Sequence, residues 1–449
     1  MKKMFRKINV LLLVCSLFFS NATIVMAEDE SKADTEVKVE LEYPKGPSVT
    51  AGAAILMDAD TGAILYEKDA YGVYYPASIT KIMTCLLAIE NLSLDQKITY
   101  TEDVFAQLPW DAALLGVERG EELTVKDCLY GLMLRSGNEV AVALAKEVSG
   151  SEEEFAVMMT ERAKKAGALN TVFTNASGLY QDTHYTTAYD MAVITKEAIK
   201  NGVFCEVWGA ESYTMSATNM NEAYDITNRH NMLVSTRSEY YKYAQGGKTG
   251  YEDLAKRTLV THAKKDDMSL ICVVLFDETA EAYIDTENIL DYGFTNFRKA
   301  RVIDEENRFG NNGFVGVAES AYITVPNDFL VSNLEYEVIY NEDNSNGNIA
   351  NIKYSYDGHY LGSTVLAFAK DTEEVDGVVT PVKKPEEPEK ENVYINVGYI
   401  MAAVVIILVI VLVSVYLVKT KQQRKVKRDR KRLFKEEGRK YKIKKRRRG

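Results

Sequence analysis

The stretch PASITKIMTCLLAIEN, residues 76–91, decides the fold and the chemistry of this chain. Its apolar residues recur at the helical period, so we predict a helix from Ser78 to Asn91. Residues three apart lie on one helix face, which puts the amine of Lys81 within reach of the Ser78 hydroxyl. A serine hydroxyl is an effective nucleophile only when a neighbouring base takes its proton. The stretch therefore predicts a serine nucleophile at a helix start, with a lysine as its base.

A second short string, Ser136-Gly137-Asn138, lies further along the chain. It falls between two predicted helices, Thr124–Leu134 and Glu139–Val148. A loop there could present Ser136 as a proton relay to a leaving amine and Asn138 as a clamp on a peptide amide. The alternative is a helix N-cap, a position that serine and asparagine often occupy.

A third string, Lys248-Thr249-Gly250, follows in the second half of the chain and is predicted to open a strand. The glycine leaves room for a peptide to lie against the strand as an additional strand. Lys248 and Thr249 could hold a substrate carboxylate, and Lys248 is the second cation that could favour a neutral Lys81. The alternative is a turn that precedes an edge strand.

The patterns around these strings indicate an α+β fold, in which a sheet joins both ends of the domain over a helical cluster. The predicted strands are Ala53–Met57, Ala63–Tyr66, Arg257–His262 and Met268–Phe276. Further predicted helices are Glu152–Lys165, Thr186–Lys200 and Glu281–Phe294. After Arg298 the alternation of apolar and polar residues, with turns at Asn346-Gly347 and Asp357-Gly358, predicts a small all-β domain.

The two ends of the chain predict export and membrane attachment. A basic start, an apolar run and the small residues before Glu28 are typical of a secretory signal. The run Val397–Val418 contains no charge and is long enough for a helix that crosses a membrane. The predicted divisions are 1–27 signal peptide, 28–46 acidic spacer, 47–297 catalytic domain, 298–370 β-rich domain, 371–392 Pro/Glu/Lys stalk, 393–418 transmembrane helix and 419–449 basic cytoplasmic tail.

Charge and composition exclude several classes of function. The net charge of −11 averages a basic tail, with 18 Lys/Arg against three acidic residues, and a strongly acidic remainder. An acidic domain does not suit nucleic acid, and the tail's place after an apolar span favours a topology signal over nucleic-acid binding. The four histidines are scattered, so neither a zinc site nor any cofactor is expected. The four cysteines beyond the signal could pair in an exported protein, but they lie far apart in the sequence, and buried free thiols are predicted.

The three strings in this order, with their neighbours, resemble the low-molecular-weight penicillin-binding proteins, the serine-type D-alanyl-D-alanine carboxypeptidases. The run from Tyr75 to Thr84 is similar to that family's Pro-Ala-Ser-x-Thr-Lys-x-Met-Thr pattern. Asn175–Leu179 and His184–Ala192 resemble its middle segment. The resemblance implies a serine β-lactamase/transpeptidase-like catalytic domain over the first part of residues 48 to 370.

The resemblance also implies roles for residues. Ser78 would be acylated, with Lys81 as its base and Ser136 as the third catalytic residue. The residues expected to bind substrate are Asn138, Lys248, Thr249, Gly250 and Tyr251, whose amide would complete an oxyanion hole. The expected partners are peptidoglycan stem peptides, β-lactams as covalent inhibitors, and the bacterial cell membrane, with the catalytic domain outside it.

Two departures from the family pattern and two rival functions remain. Glu252 stands where the family usually has Thr, and Ala255-Lys256 stands where it has Ala-Gly. A class A β-lactamase would need a Glu-x-x-Leu-Asn segment between the second and third strings, and none is found there. A β-lactam sensor would carry a signalling domain across the membrane, for which the short tail from Lys419 leaves little room.

Overall fold

The structure is a computed structural model that describes residues 43–106, 108–279, 281–302, 315–317, 322–329, 334–340 and 348–368. The predicted signal peptide, most of the spacer, the stalk, the membrane span and the basic tail lie outside these residues. Among the residues that are described, no helix has both the length and the apolar character needed to cross a membrane.

The strands and helices follow in chain order. The strands are β1 (Ala53–Asp58), β2 (Ile64–Lys68), β3 (Lys97–Thr99), β4 (Glu122–Thr124), β5 (Ser212–Met215), β6 (Tyr224–Thr227), β7 (Ala244–Glu252), β8 (Lys256–Lys265), β9 (Met268–Asp277), β10 (Phe297–Arg301), β11 (Val315–Val317), β12 (Tyr322–Pro326), β13 (Glu335–Tyr340), β14 (Asn348–Tyr356) and β15 (His359–Phe368). The helices are α1 (Lys81–Asn91), α2 (Glu102–Phe105), α3 (Val125–Tyr130), α4 (Asn138–Ser149), α5 (Glu152–Ala166), α6 (Ala188–Ala198), α7 (Gly202–Trp208) and α8 (Ala282–Asn296).

One antiparallel sheet joins the two ends of the first region, in the order β2-β1-β9-β8-β7. The N-terminal hairpin pairs with the last strand of the region, Ala53 opposite Leu275. One face of the sheet shares a core with the helical cluster, and the other face packs against α8. The predicted α+β architecture is therefore confirmed for this region.

Three local predictions were wrong in detail. A turn of 3-10 helix, Ala77–Thr80, precedes α1 where one continuous helix was expected. The expected helix Thr124–Leu134 is α3 followed by a π-helical turn, Gly131–Arg135. Lys248 lies in the middle of β7, which begins at Ala244 and not at Lys248. The strand start was missed because glycine, present at positions 246 and 247, is disfavoured in strands. Helix α1 is buried on nearly all sides, since every residue from its first to Ala88 is buried.

The strands after Phe297 form a separate core. β10 pairs with β12, and a four-stranded sheet has the order β11-β15-β14-β13. The turn at Asp357-Gly358 is confirmed, since both residues have the positive φ, 47° and 76°, of a tight hairpin. The turn at Asn346-Gly347 lies outside the described residues. Hydroxyl groups of Thr61 and Thr324, 2.7 Å apart, join this part to the β1–β2 turn, and the boundary at residue 298 stays a prediction.

The cysteines behave as the sequence indicated. Cys85, Cys128 and Cys272 are buried and Cys205 is partly buried, and all four are free thiols. Burial raises the pKa of the Cys128 thiol to about 12. These cysteines therefore act as small core residues.

Candidate active site

The candidate nucleophile, Ser78, lies in the 3-10 turn at the entrance of α1. The preceding residue, Ala77, has a positive φ of 50°, a conformation that is strained for a residue with a side chain. Gly178 packs so closely that a Cβ added to it would lie 1.9 Å from the Ala77 carbonyl oxygen. The Thr258 hydroxyl donates to the Pro76 carbonyl oxygen at 2.9 Å. These contacts from two distant segments hold the turn that presents the serine.

Lys81 is fully buried, and its amine has three oxygen partners. Its Nζ donates to Ser78 Oγ at 2.9 Å, to Asn138 Oδ1 at 2.7 Å and to the Ser177 carbonyl oxygen at 2.5 Å. Burial lowers the pKa of Lys81 to about 7, because taking an ammonium out of water disfavours its charged form. A large fraction of Lys81 is therefore neutral near pH 7, beside the hydroxyl whose proton it must accept.

The charged groups near Lys81 shift its pKa in opposite directions. The carboxylates of Glu139 and Glu252 raise its pKa, and the guanidinium of Arg229 lowers it. Lys248, predicted as the second cation beside Lys81, does interact with it, since each positive charge disfavours the charged form of the other. Lys248 is itself buried, and burial, followed by the charge of Lys81, lowers the pKa of Lys248 well below its ordinary value.

The second string lies between the π-helical turn and α4. Ser136 has a left-handed φ of 64°, and Asn138 is the first residue of α4. The N-cap of α4 is Gly137, which has no side chain to cap with, so the alternative of a serine or asparagine cap is wrong. Ser136 Oγ accepts a hydrogen bond from Lys248 Nζ at 3.1 Å. This bond joins the second string to the third. The hydrogen bond from Lys81 to Asn138 joins the first string to the second.

The third string places a strand edge against the nucleophile. A Cβ added to Gly250 would lie 2.8 Å from the Ser78 backbone nitrogen and 2.4 Å from Thr258 Oγ1. A cleft of about 770 Å³ opens at this point. The predicted site residues that line it are Ser78, Ser136, Asn138, Thr249, Gly250 and Tyr251. Lys81 and Lys248, the remaining two, are buried beside it, so the structure brings all eight together.

Sequence reasoning gave no role to three groups that the structure brings to this site. The Ser177 carbonyl oxygen accepts from Lys81, and Arg229 lines the cleft. Glu139 is buried, and its Oε1 accepts from the amides of Leu115 at 2.7 Å and Gly116 at 2.9 Å. Glu139 thus ties residues 115–116, which follow the cleft-lining residues 111–113, to α4. In the sequence, the region of Ser177 was indicated only by the resemblance of Asn175–Leu179 to the family's middle segment.

The two residues that depart from the family pattern, Glu252 and Lys256, lie at the two ends of the β7–β8 turn. Glu252 ends β7 and lines the cleft, and burial raises the pKa of its carboxyl. Lys256 follows the β7–β8 turn with a positive φ of 55°. A left-handed residue is most easily accommodated as glycine, which explains why the family usually has glycine at this position.

Comparison with known proteins gives the family. A profile of peptidase family S11, described as D-alanyl-D-alanine carboxypeptidase, matches residues 40–279. The chain belongs to this family. It is similar to the D-alanyl-D-alanine carboxypeptidase DacF of Bacillus subtilis, with 35% identity over 293 residues that cover 64% of this chain and 70% of that protein. It is also similar to the D-alanyl-D-alanine carboxypeptidase of Streptomyces sp. strain K15, with 34% identity over 55% of this chain and 88% of that protein.

Solved structures agree with the fold. Penicillin binding protein 5 from Haemophilus influenzae matches with a TM-score of 0.61 and 24% identity, over 73% of this chain and 99% of that one. A mutant of the Streptomyces K15 DD-transpeptidase matches with a TM-score of 0.52 and 30% identity, over 55% of this chain and 99% of that one. The enzyme is thus a serine-type D-alanyl-D-alanine carboxypeptidase with the penicillin-binding protein fold.

Proposed function

We propose that Ser78 is the residue through which this enzyme removes the terminal D-alanine from peptidoglycan stem pentapeptides. Lys81 accepts the proton of the Ser78 hydroxyl as its oxygen attacks the carbonyl carbon of the penultimate D-alanine. The amides of Ser78 and Tyr251 donate to the oxyanion that forms, where fixed donors lower the barrier most. Lys248 and Thr249 hold the terminal carboxylate.

The same residues then release the product. The C–N bond breaks, and Ser136 delivers the proton to the departing amine of D-alanine. Water attacks the ester on Ser78, and a tetrapeptide leaves. A β-lactam presents an amide in the place of the D-Ala–D-Ala bond, so it acylates Ser78 and remains bound as an ester.

One observation carries this proposal: Lys81 Nζ lies 2.9 Å from Ser78 Oγ with its pKa lowered to about 7. A general base works best when its pKa is near the working pH and its donor–acceptor distance is that of a hydrogen bond. The Asn138 and Ser177 oxygens hold the amine in that place.

The test measures D-alanine released from a pentapeptide that ends in D-Ala–D-Ala, using the full chain in detergent. We expect release by the wild type, none by Ser78→Ala, and unchanged release by Ser93→Ala, which alters an exposed serine away from the cleft. Covalent penicillin binding without D-alanine release would favour a β-lactam sensor. Rapid turnover of penicillin would favour a β-lactamase.

The site of action follows from the ends of the chain, which lie outside the described residues. We infer that residues 393–418 form a single transmembrane helix, that the catalytic domain faces the cell wall, and that the tail from Lys419 is cytoplasmic. The support is the uncharged run Val397–Val418 and the excess of Lys/Arg directly after it.

A further inference from the structure

Glu252, the last residue of β7, lies on the side of the strand that faces the nucleophile. Side chains alternate along a strand, so Glu252 shares a face with Lys248 and Gly250. That face is turned toward Ser78, since a Cβ added to Gly250 would lie 2.8 Å from the Ser78 amide nitrogen. The charge of Lys81 acts on the Glu252 carboxyl, where it opposes the rise in pKa that burial causes. The carboxylate of Glu252 is therefore part of the catalytic cleft.

The wall of this cleft has charges of both signs. The charged residues that line it are Asp111, Glu252 and Asp253 with carboxylates, and Arg135, Arg229, Arg237 and Arg257 with guanidinium groups. The charges of described residues that shift the pKa of Glu252 come from Lys81 and the other two carboxylates, and no arginine is among them. Arg237 and Arg257 act instead on the Tyr283 phenol, at the start of α8. The arginines of the cleft therefore do not neutralise Glu252.

The Glu252 carboxylate has no partner among the residues that the structure describes. Lys256 lies directly opposite Glu252 across the β7–β8 turn, but the two side chains form no ion pair. The carboxylate also accepts no hydrogen bond from the described residues. Glu252 is half-buried, and a carboxylate that is partly removed from water without a partner is unfavourable. A cation from outside the protein would supply that partner.

The direction of the substrate along β7 decides which of its groups meets Glu252. In the proposed function the terminal carboxylate lies at Lys248 and Thr249, and the scissile carbonyl lies at the Tyr251 amide. A peptide that adds to the strand advances by about one residue per strand residue, since both chains rise by about 3.3 Å. The acyl side of the substrate therefore continues from Tyr251 toward Glu252. The side chain that precedes the D-alanyl pair is then beside the Glu252 carboxylate.

We propose that Glu252 determines substrate specificity, because its carboxylate binds an ammonium group on the side chain that precedes the D-alanyl pair. The favoured substrates are stem peptides with a diamino acid at that position, whose side-chain amine is free. An amine that is already acylated has no charge and loses this contact. The threonine that is usual in the family at this position has no charge either, so the contact belongs to this chain. This inference rests on the proposed function of Ser78, and the steps at Ser78 are unchanged.

The test compares two peptides, Nα-acetyl-L-Lys–D-Ala–D-Ala with a free side-chain amine and its Nε-acetyl derivative, using the full chain in detergent. D-alanine release gives kcat/KM for each peptide. We expect the wild type to favour the free amine by about fivefold, the factor that a half-exposed ion pair supplies. Glu252→Gln keeps the size of the side chain and removes its charge, so the ratio should fall to about one. Glu252 also acts on Lys81, but a change in that base affects both peptides, and the ratio cancels it.

Glu287→Gln is the matched control, because Glu287 is an exposed carboxylate on α8 outside the cleft. It should keep the wild-type ratio. A wild-type ratio of about one, or an unchanged ratio in Glu252→Gln, would overturn the specificity role of Glu252. If the wild type releases D-alanine from both peptides with equal kcat/KM, only this inference fails. If it releases D-alanine from neither peptide, the proposed function fails with it.

Discussion

Lys81 determines how the reaction should depend on pH. Its pKa is lowered to about 7, so its neutral fraction rises with pH through that value and is small below it. Only the neutral amine can take the Ser78 proton. We therefore expect the second-order rate of acylation by a labelled penicillin to fall about tenfold per pH unit below pH 7, and to level above it.

The control for this profile is Lys81→Arg, which keeps the positive charge and the length. A guanidinium stays protonated at every pH of the assay, so this variant should not be acylated at any pH. A wild-type rate that is flat between pH 5 and 8 would show that Lys81 is not the base.

Glu139 offers a second prediction at the residue scale. Its carboxylate raises the pKa of Lys81, because a nearby negative charge favours the ammonium. Glu139→Gln removes that charge and keeps an oxygen that can accept from Leu115 and Gly116. We expect the acid limb of the acylation profile to move to lower pH in this variant. The control is Glu153→Gln, which alters an exposed glutamate on α5 and should leave the acid limb at the wild-type pH. If the acid limb of Glu139→Gln also stays at the wild-type pH, Glu139 carries a proton in the working enzyme.

At the scale of elements, the contact between β7 and the turn before α1 positions the two amides that we propose as the oxyanion donors. Gly250→Ala would push a methyl group to 2.8 Å from the Ser78 amide nitrogen. Loss of one oxyanion donor typically costs 10²–10³ in rate, so we expect acylation by penicillin to slow by about 10²-fold or more. Gly202→Ala, where an added Cβ meets no neighbour within 4 Å, should acylate at the wild-type rate. Equal rates for the two variants would contradict this account of the strand.

The elements that the sequence predicted are those with a regular apolar pattern. Helices α4 and α5 were placed within about a residue or two of their ends, because each has an apolar face toward the core. The hairpin of β5 and β6 was not predicted, since its strands are short and mostly polar. The sequence predicts α-helix at the π-helical turn, because the change of hydrogen-bond partners leaves no mark in the sequence.

The candidate site was also predicted only in part from the sequence. Seven of its eight predicted residues belong to the three strings, the eighth, Tyr251, directly follows the third, and the structure brings them together. The Ser177 carbonyl is a backbone group 96 residues from Lys81, so the resemblance of Asn175–Leu179 to the family pattern did not reveal its bond to Lys81. Arg229 lies at the cleft in the segment after β6, and its amide donates to the Leu134 carbonyl oxygen at 3.0 Å, a contact between distant segments that a pattern of residues does not specify.

At the scale of the whole molecule, the proposed transmembrane helix can be separated from the catalytic part. A chain that ends at Asn392 lacks the uncharged run Val397–Val418 and the basic tail. We expect the full chain to stay in the membrane pellet after an alkaline carbonate wash, and the shortened chain to be released. Release of both chains by the wash would show that the C-terminal run does not span the membrane.

The central claim is that Ser78 is the nucleophile of the cleft, and mass spectrometry of the full chain after incubation with penicillin tests it most directly. We predict an adduct of one penicilloyl group, found after proteolysis on the peptide that contains Ser78, and no adduct in Ser78→Ala. An adduct on a different residue, or an acylated Ser78→Ala protein, would contradict the claim.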